Sequence, residues 1–509
     1  MKLPVLLAAA LFTVGPLCAQ TVLIKPYVQP GDGATLDGTD VKVIAWLTEQ
    51  KPGDFTVEYA IKGAPMRTAK PERVQLDFNP PKPKPTTPAP ATTPKPEIPT
   101  TLEGVQAGVI KEASPVIPER EQHYFKYSAV LTGLPFDSEI TYRVRQGTNV
   151  IRQDTFKTRA SATKPIRFVA VGDLANGKDS QNRVAFQIAQ QKPDFLVALG
   201  DIVYSSGRVS QYMHHFWTTY NDVPKPSATT GAPLMASIPF YPVIGNHDAD
   251  VARLPETPDA LGAFYFFSAP LNGPGLGAWS TPLGKDAAVA ATFREKAGTA
   301  FPALSNYSFD SGPAHFLCLD ANGYATKQIE ALKPWIEKDL AGSKQRWKFV
   351  CFHHPAFHTS KEHFTQQSMR LLEPIFEANG VDVVFAGHVH NYQRTRPLRF
   401  TPTDARPDPR GRVNGTYQLD EKFDGDKVTK PDGIVHIVTG GGGATLYKID
   451  MVKTIAQLQK DNPGNWVDFT AKHISDRHSF SVVDLTPDEF VLRQLATDGT
   501  EIDRIRITK

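Results

Sequence analysis

Two histidines, His388 and His390, stand one residue apart in the stretch FAGHVHNYQRTRPL, directly after an apolar run. Neutral imidazole is the commonest transition-metal ligand in proteins, and side chains at positions i and i+2 of a strand point the same way. The pair therefore suggests a metal site. A strand that simply reaches the surface would also end in such residues, so the rest of the chain has to decide between the two interpretations.

Polar side chains that can bind metal end five separate apolar runs of the chain. In chain order they are Asp173 in IRFVAVGD, Asp201 and Tyr204 in FLVALGDIVY, Asn246 and His247 in YPVIGNHD, His353 in WKFVCFH, and His388 and His390 in VDVVFAGHVH. If these runs are parallel strands of an open α/β sheet, their ends converge on one edge of it. A single Asp in such a place is commonly only a helix cap, but five such ends in order favour a shared site.

The types of donor in this set indicate which metals and which reaction to expect. Asp173 and Asp201 would be neighbours after one strand, helix and returning strand, and two adjacent carboxylates repel each other unless a cation neutralises them. Carboxylate oxygens, an amide oxygen and three imidazoles suit two divalent or trivalent ions better than one zinc ion, which four ligands saturate. A carboxylate that bridges two ions is the arrangement for in-line displacement at phosphorus, so the set predicts phosphoester hydrolysis.

The elements that position these residues change character along the chain. Residues 21 to about 160 contain short alternating runs such as VKVIAWLTE and ITYRVRQG between Gly, Pro and Asp turns, which predicts a β-sandwich. A proline-rich stretch, residues 79–100, interrupts it and is expected to be an extended, solvated insertion. From residue 166 onward, apolar strands alternate with helical stretches, which predicts a mainly parallel sheet covered by helices. Residues 249–304 are expected to form a substrate loop, and the last strands, from HSFSVVDLT onward, suggest a second sheet.

Length, charge and cysteine content narrow the classes of protein that fit. A chain of 509 residues predicts two or three domains, and a formal net charge of +3 is too small to indicate nucleic acid as a specific partner. The first twenty residues, MKLPVLLAAALFTVGPLCAQ, are typical of a cleaved signal peptide, and no later segment is typical of a membrane span. The protein is therefore expected to be exported to the periplasm, the cell surface or the medium. Cys318 and Cys351 either form one disulfide or pack as buried thiols.

The ordered motifs GD, GDxxY, GNHD, VxxH and GHxH resemble those of the calcineurin-like metallophosphoesterases, and the resemblance spans residues 166 to about 508. Tyr204 makes the set similar to the purple acid phosphatase type, and YSAVLTGLPFDSEITYRVR resembles a fibronectin type III domain. The resemblance implies an α+β multidomain protein. Its parts would be a fibronectin III-like β-sandwich at residues 21–160 and an α/β/β/α metallophosphoesterase sandwich at residues 166–509.

The resemblance also implies a role for each matching residue. It implies a ferric ion held by Asp173, Asp201, Tyr204 and His390, with Asp201 bridging to a divalent ion (iron, zinc or manganese) held also by Asn246, His353 and His388. His247 would contact phosphate and donate a proton to the leaving group. His363 would face the substrate, with His354 and His358 as competitors for that position.

Two positions depart from the family pattern, and several functions stay open. Ala175 stands where a glycine is usual, and Gln393 replaces a glutamate that would lie behind the metal ligands. We expect a secreted acid phosphatase that hydrolyses small phosphomonoesters by in-line attack of a metal-bound hydroxide. The alternatives are a manganese or zinc phosphodiesterase or nucleotidase on the same fold, and an inert surface-binding protein.

Overall fold

The computed structural model describes residues 21–79, 121–248, 254, 257–274, 287–301, 303–326, 329–447, 460 and 468–509. The predicted signal peptide lies outside these residues. So do the proline-rich insertion, apart from Asn79, and much of the predicted substrate loop.

The described residues of the N-terminal region form eight strands. They are β1 (Val22–Pro30), β2 (Asp40–Glu49), β3 (Phe55–Ile61), β4 (Arg67–Ala69), β5 (Glu72–Phe78), β6 (Gln122–Leu134), β7 (Glu139–Gln146) and β8 (Asn149–Lys157). They pair into two antiparallel four-stranded sheets, in the orders β1-β2-β6-β5 and β4-β3-β7-β8. The prediction of an all-β N-terminal region is confirmed.

The first of these sheets is buried on both faces. In β2, Trp46 faces the second sheet, where its ring lies 5.3 Å from that of Phe55. The neighbouring residue Leu47 points the other way and joins Tyr27 and Phe78 in a core shared with the rest of the chain. The unbroken apolar run VIAWL in β2 follows from this double burial. The sandwich is therefore packed firmly onto the remainder of the protein.

The rest of the chain contains fifteen described strands. They are β9 (Ile166–Val171), β10 (Phe195–Leu199), β11 (Phe240–Val243), β12 (Tyr307–Ser311), β13 (Ala314–Leu319), β14 (Trp347–Phe352), β15 (Val383–Ala386), β16 (Tyr392–Thr395), β17 (Leu398–Pro402), β18 (Gly415–Leu419), β19 (Val435–Thr439), β20 (Thr470–Ile474), β21 (Ser479–Leu485), β22 (Glu489–Ala496) and β23 (Glu501–Thr508).

The helices between these strands are mostly short. They are α1 (Asp179–Gln191), α2 (Val209–Gln211), α3 (Trp217–Tyr220), α4 (Gly262–Phe266), α5 (Ala287–Ala297), α6 (Gly323–Thr326), α7 (Ile329–Gly342) and α8 (Glu373–Ala378). A π-helical turn, Tyr212–Phe216, joins α2 to α3, and 3₁₀ turns cover Leu234–Ala236, Gly298–Ala300 and Ser368–Leu372. Among the described residues, none of the helices has the length and apolarity needed to cross a membrane.

Two mixed sheets face each other in this region. One has the order β11-β10-β9-β21-β22-β23 and the other β12-β13-β14-β15-β19-β16-β20. Their contact is aromatic: the ring of Phe168 in β9 lies 5.1 Å from Phe316 and 5.8 Å from Phe349 of the other sheet. The strands β9 to β11 are parallel, as are β13, β14, β15 and β19. The predicted layered α/β/β/α sandwich is confirmed.

The final strands differ in detail from the sequence-based expectation. The strands β21, β22 and β23 do not build a sheet of their own, because β21 pairs antiparallel with β9, with Val482 opposite Val169. They thereby complete the sheet that β9 begins. Cys318 and Cys351 face each other in register on β13 and β14 as free, buried thiols.

Candidate metal centre

The predicted ligands converge at the carboxyl ends of the central parallel strands. Asp173 follows β9, Asp201 follows β10, Asn246 follows β11, His353 follows β14 and His388 follows β15, each within three residues of the strand's end. This convergence is the one expected for the site-bearing edge of an α/β sheet. The roles of these residues as metal ligands stay a prediction.

A loop, and not the predicted strand, positions His388 and His390 at the site. The strand β15 ends at Ala386, so neither histidine belongs to a strand, and the i, i+2 alternation does not orient them. His388 has a backbone φ of 66°, and its N–H donates to Asp173 Oδ2 at 2.8 Å. A sharply bent loop therefore places the two rings, and the predicted strand geometry is wrong here.

Backbone strain is concentrated at this edge. Seven non-glycine residues of the described chain have a positive φ, and four of them are Asp173, Asp201, His363 and His388. This conformation costs an L-residue roughly 1–2 kcal/mol and persists where the surrounding structure imposes it, commonly at functional sites.

The half of the centre around Tyr204 is closely packed. The Tyr204 hydroxyl oxygen lies 2.9 Å from Asp173 Oδ1, 3.1 Å from Asp201 Oδ2 and 3.1 Å from His390 Nε2. His390 Nε2 is itself 3.2 Å from Asp173 Oδ1. The four residues predicted to hold the ferric ion therefore meet at one point.

The other half contains buried donor atoms that hydrogen bonds within the described chain do not fully satisfy. Ligand atoms of Asp201, His353 and His388 all lie within 4.8 Å of one another, and His353 Nε2 is 3.2 Å from Asp201 Oδ2. Within the part of the chain that the structure describes, Asn246 Oδ1 has no hydrogen-bond partner, and His353 Nε2 has no hydrogen bond besides this ion-pair contact with Asp201. Buried polar atoms are normally paired, and an amide oxygen with imidazole nitrogens beside a carboxylate suits a divalent cation. The residues present therefore fit a second metal ion.

The charges of the buried groups are strongly interdependent. Burial alone would raise the pKa of Asp201, but His353 and His247 lower it below its usual range. Burial would lower the pKa of His353, but the Asp201 carboxylate raises it to about 9. Burial, then the carboxylates of Asp173 and Asp201, raise the pKa of Tyr204. Asp201 and His353 thus stabilise each other's charged form.

Main-chain carbonyls orient two of the three predicted histidine ligands. His353 Nδ1 lies 2.7 Å from Leu199 O, and His390 Nδ1 lies 2.7 Å from Thr445 O. A carbonyl oxygen only accepts hydrogen bonds, so both Nδ1 atoms carry the proton. The Nε2 atoms of both rings face the carboxylates.

Asp248 is a supporting residue that the sequence analysis did not assign. Its Oδ1 accepts the N–H of Ile202 and its Oδ2 accepts the N–H of Gly245, both at 2.9 Å. It thereby ties the loop that carries Asp201 to the loop that carries Asn246. Burial, then the charge of Asp201, raise the pKa of Asp248 to about 7. The last letter of the motif GNHD was the available signal.

His247 lies at the open side of the centre. Its ring is 4.6 Å from the Tyr204 ring, and its side chain is 34% exposed. Its Nδ1 lies 2.6 Å from Ser205 O, and its Nε2 lies 3.9 Å from Asp201 Oδ2. The partly exposed imidazole therefore lies on the solvent-facing side of the centre.

Three further histidines lie on the segment after β14, at different distances from the centre. The rings of His363 and His354 lie 4.0 Å and 4.2 Å from the His388 ring. His358 is buried beside Phe364, with ring centroids 5.9 Å apart. Both His363 and His354 thus adjoin the centre, and the geometry favours them over His358.

Tyr447 closes the same side and was not anticipated from the sequence. Its ring stacks on His390 at 4.6 Å, and its hydroxyl oxygen lies 3.0 Å from His363 Nε2 and 3.2 Å from His388 O. No local motif marks this residue, because it reaches the centre from a distant loop.

The two departures from the family pattern are accommodated locally. Ala175 is buried, its N–H donates to Ile202 O at 3.1 Å, and its carbonyl accepts the N–H of Tyr204 at 2.8 Å. Gln393 Oε1 accepts the N–H of Thr359 at 2.7 Å, which supports the loop after β14. Gln393 therefore contacts the loop and not a predicted ligand.

Every predicted ligand lies within the residues that match one known protein family. Residues 166–392 match the family described as calcineurin-like phosphoesterase. Purple acid phosphatase 18 of Arabidopsis thaliana is 26% identical over 259 residues, which cover 50% of this chain and 49% of that protein. The Fe(3+)-Zn(2+) purple acid phosphatase 12 of Arabidopsis thaliana is 25% identical over 288 residues, which cover 53% of this chain and 54% of that protein.

A solved structure extends the comparison to nearly the whole chain. The purple acid phosphatase from yellow lupin (Lupinus luteus) seeds matches with a TM-score of 0.59 and 17% identity, over 95% of this chain and 74% of that chain. At this identity the likeness shows a shared fold. The chain spans about half the length of the two Arabidopsis relatives.

Proposed function

We propose that this chain, which contains a calcineurin-like phosphoesterase domain and has purple acid phosphatases as homologues, is a binuclear metal-dependent phosphatase that hydrolyses phosphomonoesters. The observation that carries the proposal is the meeting of Asp173, Asp201 and Tyr204 beside Asn246 Oδ1, a buried atom with no hydrogen-bond partner among the described residues. Such an atom would be costly to bury unless a cation binds it. The catalytic unit would comprise residues 166–509, because β21 to β23 complete the sheet of β9.

The donor set supports a different ion in each half of the centre. A ferric ion would be held by Asp173, Asp201, Tyr204 and His390, and a divalent iron, zinc or manganese ion by Asp201, Asn246, His353 and His388. A phenol oxygen between carboxylates suits the harder, more highly charged ion, whereas two imidazoles and an amide suit the divalent one. Two bound cations would acidify water and neutralise charge on the phosphate oxygens.

The remaining residues would handle the substrate and its protons. His247 Nδ1 donates to the Ser205 carbonyl, so Nε2 is the nitrogen that would take up a second proton and donate it to the leaving group. Burial, then the charges of His390 and His353, lower the pKa of His363 to about 4. His363 would therefore be neutral at pH 5 to 7 and would contact the phosphoester as a hydrogen-bonding group.

The first twenty residues support export. Their order of Lys2, an apolar run and the small residue Ala19 is typical of a cleaved signal peptide. We infer that the mature enzyme acts outside the cytoplasm.

The test is a metal analysis of purified protein with a visible spectrum and two assays. We expect about two ions per chain, at least one of them iron, a visible absorption band, and faster hydrolysis of p-nitrophenyl phosphate than of bis-p-nitrophenyl phosphate. A colourless, iron-free enzyme that prefers the diester would favour the manganese or zinc phosphodiesterase alternative. A protein that binds two ions and hydrolyses neither ester would support an inert binding protein.

A further inference from the structure

The predicted histidine ligand His388 is oriented differently from the other two. His353 and His390 each use Nδ1 to contact a main-chain carbonyl. In His388, by contrast, Nε2 lies 2.6 Å from Oε1 of the Gln366 side chain. A side chain, and not a main-chain carbonyl, therefore orients one of the three predicted histidine ligands.

The contact determines the tautomer of His388. A carboxamide oxygen can only accept a hydrogen bond, so His388 Nε2 carries the proton. The lone pair then lies on Nδ1, the nitrogen opposite to the one that His353 and His390 present. A hydrogen bond to the far nitrogen of a histidine ligand fixes its ring and tunes its basicity.

Gln366 is suited to this task by its position on the chain. It lies in the segment that carries His363, and its backbone N–H donates to His363 O at 2.9 Å. Gln366 is exposed, whereas His388 is only 4% exposed. The amide thus reaches inward from the mouth of the centre to a buried imidazole.

We propose that Gln366 is a positioning residue for the divalent half of the centre: its amide oxygen holds the Nε2–H of His388 and thereby presents Nδ1 to the second ion. Because the acceptor is neutral, it gives the ring less electron density than a carboxylate would, and the second ion is held with moderate affinity. This inference rests on the proposed function.

The test compares three variants for retention of the two ions. Gln366→Ala removes the acceptor, Gln366→Glu replaces it with a carboxylate, and Thr365→Ala is a control on the neighbouring residue. Protein loaded with iron and zinc is dialysed against a graded chelator, and the zinc content, the iron content and the visible band are followed together with the melting temperature.

We expect Gln366→Ala to lose zinc at roughly 10- to 100-fold lower chelator activity than the wild type, while the iron and the visible band stay. Gln366→Glu should retain zinc at least as well as the wild type, and its turnover should show a shifted pH profile. Thr365→Ala should match the wild type in both metals.

Three results would overturn the inference. In the first, Gln366→Ala retains zinc as well as the wild type does. In the second, Gln366→Ala loses zinc and iron equally. In the third, Gln366→Glu loses zinc as readily as Gln366→Ala. A wild type that binds only one ion would instead contradict the proposed function, and this inference with it.

Discussion

Two clusters of histidine and carboxylate in the described part of the chain differ in how completely their polar atoms are paired. Between β12, β13 and α7, His315 lies between Asp310 (2.7 Å) and Asp339 (2.9 Å), and Ser308 donates to the other oxygen of Asp339 at 2.6 Å. Both ring nitrogens of His315 are therefore bound. In the candidate metal centre, by contrast, Asn246 Oδ1 is buried without a hydrogen-bond partner in the described chain, and His353 Nε2 has no hydrogen bond besides its 3.2 Å ion-pair contact with Asp201.

The comparison separates a structural use of these residue types from a functional one. A closed network stabilises the fold in the absence of any ligand. An unpaired buried polar atom costs roughly 1–3 kcal/mol, and a cation that binds the folded state can repay this cost. We therefore expect damage to the His315 cluster to lower stability, and damage to the metal centre to lower activity.

The largest effect should follow Asp201→Asn, because Asp201 contacts both halves of the centre. Its Oδ2 lies 3.1 Å from the Tyr204 hydroxyl oxygen and 3.2 Å from His353 Nε2. We expect turnover to fall about a thousandfold, which corresponds to roughly 4 kcal/mol of transition-state stabilisation, with loss of at least one ion. The measurements are steady-state rates and metal content.

The matched control for this variant is Asp339→Asn in the closed cluster. It replaces a partly buried carboxylate beside a histidine without touching the centre, and turnover of the folded protein should stay within a few-fold of the wild type. Equal losses of turnover in the two variants would remove the distinction between the clusters.

His390→Ala and His388→Ala test whether the two halves of the centre hold different ions. His390 adjoins Tyr204, so its loss should remove iron and the visible band together. His388→Ala should keep the band, weaken retention of the second ion and slow turnover tens to thousands of fold, equivalent to about 2 to 4 kcal/mol. Two variants that keep both ions and near-normal turnover would mean that neither histidine is a metal ligand.

Tyr204→Phe should lower turnover less than the preceding substitutions in the centre do, but it should abolish the visible absorption band. The phenol oxygen is the atom that would give an iron charge-transfer band, while the ring packs against His247 and can stay there. We expect the visible band to disappear while the melting temperature and the content of the second ion stay close to those of the wild type. A band that survives the substitution would assign the colour to another group.

Much of the fold and the composition of the centre could be predicted from the sequence. Apolar runs that each end in Asp, Asn or His predict parallel strands with one shared edge, and the structure brings Asp173, Asp201, Asn246, His353 and His388 to that edge. The alternating runs of residues 21–79 and 121–157 likewise predicted the N-terminal sheets. Both predictions rest on local patterns that span a few residues.

The rest depends on contacts between distant segments, which no local pattern encodes. The path of the backbone after the strands end determines three features of the centre. They are the bent loop at His388, the contact of Tyr447 with His363, and the contact of the Gln366 amide with His388. The pairing of β21 with β9 is of the same kind, because an apolar strand does not reveal which edge it will join.

The smallest predicted effect is a change in stability with no change in catalysis, and it concerns the closed cluster. Gln at position 315 can hydrogen-bond one carboxylate but cannot carry a positive charge between two. We expect His315→Gln to lower the free energy of unfolding by about 1–3 kcal/mol at pH 6, measured by urea denaturation, with turnover unchanged.

The dependence of this loss on pH identifies its cause. Burial would lower the pKa of His315, but the hydrogen bonds to Asp310 and Asp339 raise it to about 9, above the ordinary value of 6.5. Because the pKa is higher in the folded state, the protonated ring contributes its full stabilisation below pH 6.5 and loses it as the pH rises to 9. The difference in unfolding free energy between wild type and His315→Gln should therefore be largest near pH 6 and shrink toward pH 9.5. A difference that stays constant over this range would assign the loss to packing and not to charge.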